Sequence, residues 1–367
     1  MIMKVFIYNI FIAQIRGLPR EAGRGRDRWA ARRGVVQQSR NTINLNSSAR
    51  IPEINLIIDF SSHIIPPAAD EIFKHSWKHA EGQDDPEFRL KIMDRYGIGM
   101  QVVHLSAAHL YGLDARGAER ACRISNDYVA KIVSMHPDRF AGCGILSILD
   151  VGSALDELDR VVKDLGFRCI TIGTHQRDIG LDSEELHRLY GRIASYNVPV
   201  FLHPVNWDGY PLASEGNGVH AMSTFGWPFD TSLAIWRMIA GGIFDKFPGL
   251  RIITHHLGGM LPFYRMRAEF RFNRYYGGGS RRTFMDYLKR VYADTAVDGG
   301  SVADLMTAYQ LFGPKRIVFG SDWPYIDDAM SIGDNLAAIR SAPLPDEEKE
   351  MILHGNAEEL LGFQPRD

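Results

Sequence analysis

Four times in this chain a residue that can hold a metal closes a short apolar run. The runs are Asn55-Leu-Ile-Ile-Asp-Phe-Ser-Ser-His63, Val198-Pro-Val-Phe-Leu-His203, Leu250-Arg-Ile-Ile-Thr-His-His256 and Arg316-Ile-Val-Phe-Gly-Ser-Asp322. Imidazole nitrogens and carboxylate oxygens together suit a borderline divalent cation such as Zn²⁺. A cation held this way supports hydrolytic or lyase chemistry, because it polarises bound oxygens and acidifies bound water.

Side chains this far apart in sequence meet only if the chain delivers each run to one place. Buried parallel strands read as unbroken apolar runs, and in an α/β barrel their C-terminal ends open into a single pocket. From residue 51 onward the chain alternates such runs with stretches of helical spacing. Strands are expected at 54–60, 101–105, 140–146, 169–172, 198–202, 251–254, 291–295 and 317–320. Helices are expected at 85–96 (ended by Gly97), 117–135, 153–165, 184–196, 231–239, 261–275 and 302–311. This serial alternation predicts an α/β fold, a (β/α)₈ TIM barrel. A doubly wound sheet is disfavoured because no glycine-rich phosphate turn follows the first strand. Residues 203–228 are long for a strand-to-helix loop and carry Trp207, Tyr210, Phe225 and Trp227, so they are expected to shape or cover the pocket.

Composition narrows the function classes. The 367 residues carry a net charge of −2 with no basic domain, which argues against nucleic acid as the main partner. No apolar run is long enough for a membrane span. Cys122, Cys143 and Cys169 have neither an even count nor CxxC spacing, so a reducing, cytoplasmic setting is expected. Residues 1–50 stand apart at +8, against −10 for the remainder. They lack the small-x-small site of a secretory signal. Disorder, or residues added by an upstream start codon, is preferred to that and to an organellar presequence. The expected organisation is therefore a basic extension at 1–50 and one catalytic barrel at 51–367.

Each candidate has an ordinary structural use to be weighed. A histidine at a strand end can simply bond a backbone carbonyl, and an aspartate there can cap a helix. For His63, His203 and Asp322 the shared strand-end position favours metal ligation, since a buried carboxylate needs a charged partner. His255 and His256 are adjacent, so on a strand they face opposite sides and only one reaches the pocket.

The order of motifs from 54 to 363 resembles the amidohydrolase-related decarboxylases of aromatic acids and of aminocarboxymuconate semialdehyde. The matching stretches are Ile58-Asp59-Phe-Ser-Ser-His63, Asp85-Pro-Glu-Phe-Arg-Leu-Lys-Ile-Met-Asp94, Phe201-Leu-His-Pro204, Met238-Ile-Ala-Gly-Gly-Ile-Phe-Asp-Lys-Phe-Pro248, His256-Leu-Gly-Gly-Met-Leu-Pro-Phe263, Tyr292-Ala-Asp-Thr295 and Phe319-Gly-Ser-Asp-Trp-Pro324. The resemblance implies a metal-dependent barrel enzyme, usually zinc-loaded, in which His63, His203 and Asp322 are ligands. It implies that His256, six residues before Pro262, carries the catalytic proton, with Asp322 beside it. Arg89 would grip a substrate carboxylate, and Arg267 would do so across a homodimer interface; Trp207 is expected to line the substrate pocket from its place in the 203–228 insertion alone. Without the resemblance, both arginines read as solvated helix positions.

One departure stands out. The family places two histidines one residue apart in the first segment, and here the first is Ser61. A hydroxyl is a poor Zn²⁺ ligand, which leaves His₂Asp and admits Mn²⁺ beside Zn²⁺. Asp59 is offset by two positions and is expected to support the site without ligating. The expected activity is metal-dependent, non-oxidative decarboxylation of an aromatic or unsaturated carboxylic acid. The alternatives are a hydrolase or hydratase on the same barrel, or a barrel that has lost its metal and binds a ligand.

Overall fold

The structure is a computed structural model and describes residues 57–69, 71–73, 82, 84–206, 221–277, 282–326 and 328–363. The expected extension at 1–50, with Trp207 and Tyr210, lies outside the described residues. Ile54–Asp367 forms one compact unit.

Eight parallel strands stand in sequence order: β1 (Ile57–His63), β2 (Ile98–His104), β3 (Phe140–Ile145), β4 (Cys169–Gly173), β5 (Val200–His203), β6 (Ile252–Thr254), β7 (Val291–Asp294) and β8 (Ile317–Val318). The first and last strands are joined by Phe60 N donating to Phe319 O at 2.8 Å and by Asp322 N donating to Ser61 O at 3.0 Å. His63 N also donates to Trp323 O at 2.8 Å. These bonds close the sheet into a barrel.

The main helices are α1 (Pro86–Tyr96), α2 (Ala115–Met135), α3 (Val151–Lys163), α4 (His187–Tyr196), α5 (Trp227–Ala240), α6 (Leu261–Tyr275), α7 (Val302–Phe312) and α8 (Asn335–Ser341). Asp85 caps α1 by accepting from Glu87 N, and Gly97 ends it at φ 73°, as its spacing predicts. α5 starts four residues earlier than the periodicity suggests, because Pro228 sits in its first turn, where a missing N–H costs nothing.

The barrel interior is filled by Ile58, Phe60, Met100, Val102, Cys143, Cys169, Phe201, Ile253 and Val318, with Ala357, Leu360 and Leu361 of a short terminal helix packed on them. A fully buried aliphatic or aromatic side chain contributes roughly 1.5–3 kcal/mol. This plug seals one end, so polar side chains are confined to the other, where the strands finish. A second, larger apolar layer lies between strands and helices.

β1 runs three residues past its expected end and carries a bulge. Asp59 pairs with Gln101 and Ser62 with Val103, so three steps on β1 match two on β2. An extra residue shifts the side-chain phase. Ile58 and Phe60 face the barrel interior, and beyond the bulge His63 does too, whereas Ser62 turns toward α1.

Candidate active site

His63, His203, His255 and Asp322 come together at the C-terminal end of the barrel, all buried, each offering a ligand atom within 4.8 Å of the others. His63 Nε2 is 2.8 Å and His255 Nε2 3.2 Å from Asp322 Oδ1, and His256 Nε2 is 3.6 Å from Oδ2. The three expected ligands are thus neighbours in space, and a fourth possible donor joins them.

That fourth is His255, which the alternation of a strand directed away from His256. The two rings instead lie side by side, 3.7 Å between centroids. β6 ends at Thr254, and His256 and Leu257 take φ of 54° and 52°. The zigzag that separates consecutive side chains stops where the strand stops. Gly259, at φ 63°, completes the turn. A Cβ there would lie 2.3 Å from Pro228 O, so only glycine lets this loop meet the start of α5. Asp322 also has positive φ, 59°. Left-handed backbone at non-glycine residues costs of order 1–3 kcal/mol and gathers at functional sites.

Hydrogen bonds fix which nitrogen each ring presents. His203 Nδ1 sits 2.7 Å from Pro204 O, so Nδ1 donates and Nε2 keeps its lone pair, 3.0 Å from Ser106 Oγ. His255 Nδ1 is 2.5 Å from Asp294 Oδ2, a carboxylate–histidine arrangement that leaves Nε2 facing Asp322. Asp294 also accepts from His256 N at 2.8 Å, so one carboxylate holds both histidines. Asp59 lies outside the quartet. It accepts from Ser321 N at 2.9 Å, Ser321 Oγ at 2.7 Å and Gln101 Nε2 at 3.1 Å, and thereby braces the residue before Asp322.

Burial lowers the pKa of His63, and pushes those of His203 and His104 well below the usual imidazole range, so all three rings are neutral. Burial acts the same way on His255, but Asp294 and Asp322 outweigh it and raise its pKa to about 10. Burial alone would raise Asp322; the charge of His255 and bonds from His255, His256 and His63 hold it well below the carboxylate range.

The donor set fits a divalent cation. His63 Nδ1 has no hydrogen-bond partner, and its Nε2 faces only the Asp322 carboxylate. The neutral rings of His63 and His203 offer lone pairs beside the ionised Asp322, and a divalent ion would replace the proton on His255 Nε2 as the positive centre of the group.

The predicted arginines are placed differently. Arg89 is fully buried on α1 behind β1, donating from Nη1 to His63 O at 2.9 Å and from Nη2 to Ser62 Oγ at 2.6 Å, with its guanidinium 4.7 Å from the Trp323 ring. Arg267 is not brought into the quartet; it is exposed on α6 and lines a groove with Phe229, Leu233, Trp236, Tyr264 and Arg271. Of the aromatics expected to shape the pocket, Trp227 meets the site, parallel to His256 (7° between planes) with centroids 6.3 Å apart, and Tyr325 joins it, its ring centroid 5.3 Å from that of His63. Asp294 went unassigned in the sequence although it too closes an apolar run, Val291-Tyr-Ala. His104 and Ser106, at and just beyond the end of β2, follow a run of the same kind.

The amidohydrolase family signature matches residues 58–363. The chain belongs to the amidohydrolase family. It is 30% identical over 287 residues to decarboxylase orsB of Emericella nidulans, covering 74% of this chain and 84% of that one. It is 28% identical over 297 residues to 2-amino-3-carboxymuconate-6-semialdehyde decarboxylase of Dictyostelium discoideum, covering 77% of each. The solved structure of 2,6-dihydroxybenzoate decarboxylase from Rhizobium superposes with a TM-score of 0.73 at 26% identity, over 84% of this chain and 98% of that one. The barrel read from the alternating runs is the fold of these decarboxylases.

Proposed function

We propose that this amidohydrolase is a divalent-metal-dependent, non-oxidative decarboxylase acting on an aromatic carboxylic acid, with unsaturated acids such as muconate semialdehydes as the second substrate class. The observation that carries the reading is the buried His63–His203–His255–Asp322 quartet with His256 against it, in a family whose matched relatives are named decarboxylases. A divalent ion held by the quartet supplies Lewis acidity toward substrate oxygens. Three imidazoles and one carboxylate favour Zn²⁺ over Mn²⁺ as that ion.

Decarboxylation breaks one C–C bond, releases CO₂ and places a proton on the carbon left behind. His256 is the residue we assign to that proton. Its Nε2 faces Asp322 Oδ2, and its backbone N–H is tied to Asp294, so the ring holds its position while the proton moves. Asp322 balances charge on His256 as the proton leaves and returns. Trp227, parallel to the His256 ring, gives a flat apolar wall suited to an aromatic substrate. Arg89 is assigned to the substrate carboxylate by family resemblance, while in this structure it also holds the end of β1. Arg267 would serve a partner's site. Phe263, Met266, Phe270 and Tyr264 are exposed beside it on α6, an apolar face of the kind a second copy covers in a homodimer.

The test is CO₂ release from a panel of hydroxybenzoates and muconate semialdehydes by the metal-loaded protein in D₂O. Stoichiometric CO₂ with one deuterium on the product carbon is expected. A silent panel with metal bound, or water oxygen appearing in a cleaved product, would overturn the reading.

A further inference from the structure

We infer that His255 has taken over the ligand position that Ser61 leaves empty, so that positions 61 and 255 are alternative sources of one imidazole. The inference rests on reading the quartet as a metal centre.

Three observations meet here. First, Ser61 Oγ is fully buried and finds no hydrogen-bond partner. A buried hydroxyl in that state costs free energy and contributes nothing as a ligand to a borderline cation. Second, position 61 sits against the groups that hold His255. A Cβ built on Gly320 would lie 3.0 Å from Asp294 Cβ and 3.1 Å from Ser61 Cβ, so the two side chains flank one glycine. Asp294 is the carboxylate on His255 Nδ1, and Ser61 O accepts from Asp322 N, whose own carboxylate meets His255 Nε2. Third, His255 is oriented as a ligand. Its Nδ1 is engaged by Asp294, its Nε2 points at Asp322, and its ring lies 5.0 Å from His203 and 5.8 Å from His63 between centroids.

A small side chain at 61 thus lies where a second large ring from β1 would compete with the His255–Asp294 pair. The ligand comes instead from β6, at the point where the backbone leaves strand geometry. The site thereby keeps three imidazoles and one carboxylate.

The experiment measures Zn²⁺ stoichiometry and Kd by competition with a chromophoric chelator, on purified full-length protein with folding checked by circular dichroism. Wild type is expected to bind about one Zn²⁺ per chain. His255→Asn, which keeps a polar partner for Asp294, should weaken binding at least about 100-fold. Adding Ser61→His to His255→Ala should recover most of that loss, which a merely structural role for His255 would not produce. Wild type with no bound metal overturns both this inference and the metal-centre reading. Wild-type binding retained in folded His255→Asn overturns this inference alone. Failure of the folded double variant to bind more tightly than His255→Ala overturns the claim that positions 61 and 255 are interchangeable.

Discussion

Arg89→Met separates two roles for one guanidinium. The substitution leaves His63 O and Ser62 Oγ, both buried, without the donors now at 2.9 and 2.6 Å. An unsatisfied buried acceptor costs ~1–3 kcal/mol, so together ~2–6 kcal/mol. A second effect opposes this. Burial holds the Arg89 pKa at about 10 against an ordinary 12.5, so the folded state disfavours the cation at neutral pH. That shift corresponds to on the order of 3 kcal/mol, which methionine does not carry. Methionine also fills most of the space of the arginine stem, which keeps the cavity cost small. The net loss of stability is therefore at most about 3 kcal/mol, a fall of several °C in Tm. Loss of a carboxylate grip acts on kinetics instead: a charge-assisted bidentate contact of roughly 2–4 kcal/mol is a 30- to 1,000-fold fall in kcat/KM. Thermal melts at fixed metal, with steady-state kinetics on the best acid of the panel, read the two effects separately. A lowered Tm with kcat/KM within threefold of wild type would refute the substrate role and leave Arg89 as the brace of β1.

Three further outcomes are expected. Removing the metal with a chelator should lower Tm and restoring it should reverse the change, because an ion at 100 times its Kd stabilises the folded state by about 2.7 kcal/mol; an unchanged melt would count against a tightly held ion. Burial raises the Asp59 pKa from 3.8 to about 6. The folded state then holds that proton more tightly than the unfolded state, so this contribution is complete below pH 3.8 and declines as pH rises through about 6, by on the order of 3 kcal/mol. Denaturant titrations of wild type and Asp59→Asn between pH 4 and 7 should therefore diverge in slope, and parallel curves would refute the assignment. His256→Ala should keep its metal and lose about 10²- to 10⁴-fold in kcat, the usual contribution of a positioned acid–base group; metal loss instead would make His256 a ligand.

The barrel was legible because each of its strands is buried on both faces and so reads as an apolar run. Residues 140–146 and 251–254 were expected as strands and are found as Phe140–Ile145 and Ile252–Thr254. The convergence of the candidate ligands followed from the same logic: His203 and Asp322 close such runs, and the barrel brings closing residues together. What was not legible lies where the regular repeat ends. Ser61 and Ser62 carry no strand signal, yet their backbone pairs with neighbours and extends β1 to His63. Arg89 reads as a solvated helix position because its burial is created by β1 and Trp323, which are distant in sequence.

The two adjacent histidines show why an alternation rule fails at an active site. Opposite-facing neighbours follow from extended φ/ψ, and β6 ends before His255. His256 then turns into the left-handed region, which rotates its side chain onto the same side as its predecessor. Asp294 reinforces this by bonding the His255 ring and the His256 backbone at once. Asp322 on β8's extension repeats the device, with positive φ and a backbone bond to Ser61. A barrel strand alone can offer one inward side chain for every two residues. Leaving the strand after Thr254 is what lets β6 deliver both His255 and His256 to the site, the pair proposed as ligand and proton carrier, and it is a property of backbone conformation that side-chain pattern does not encode.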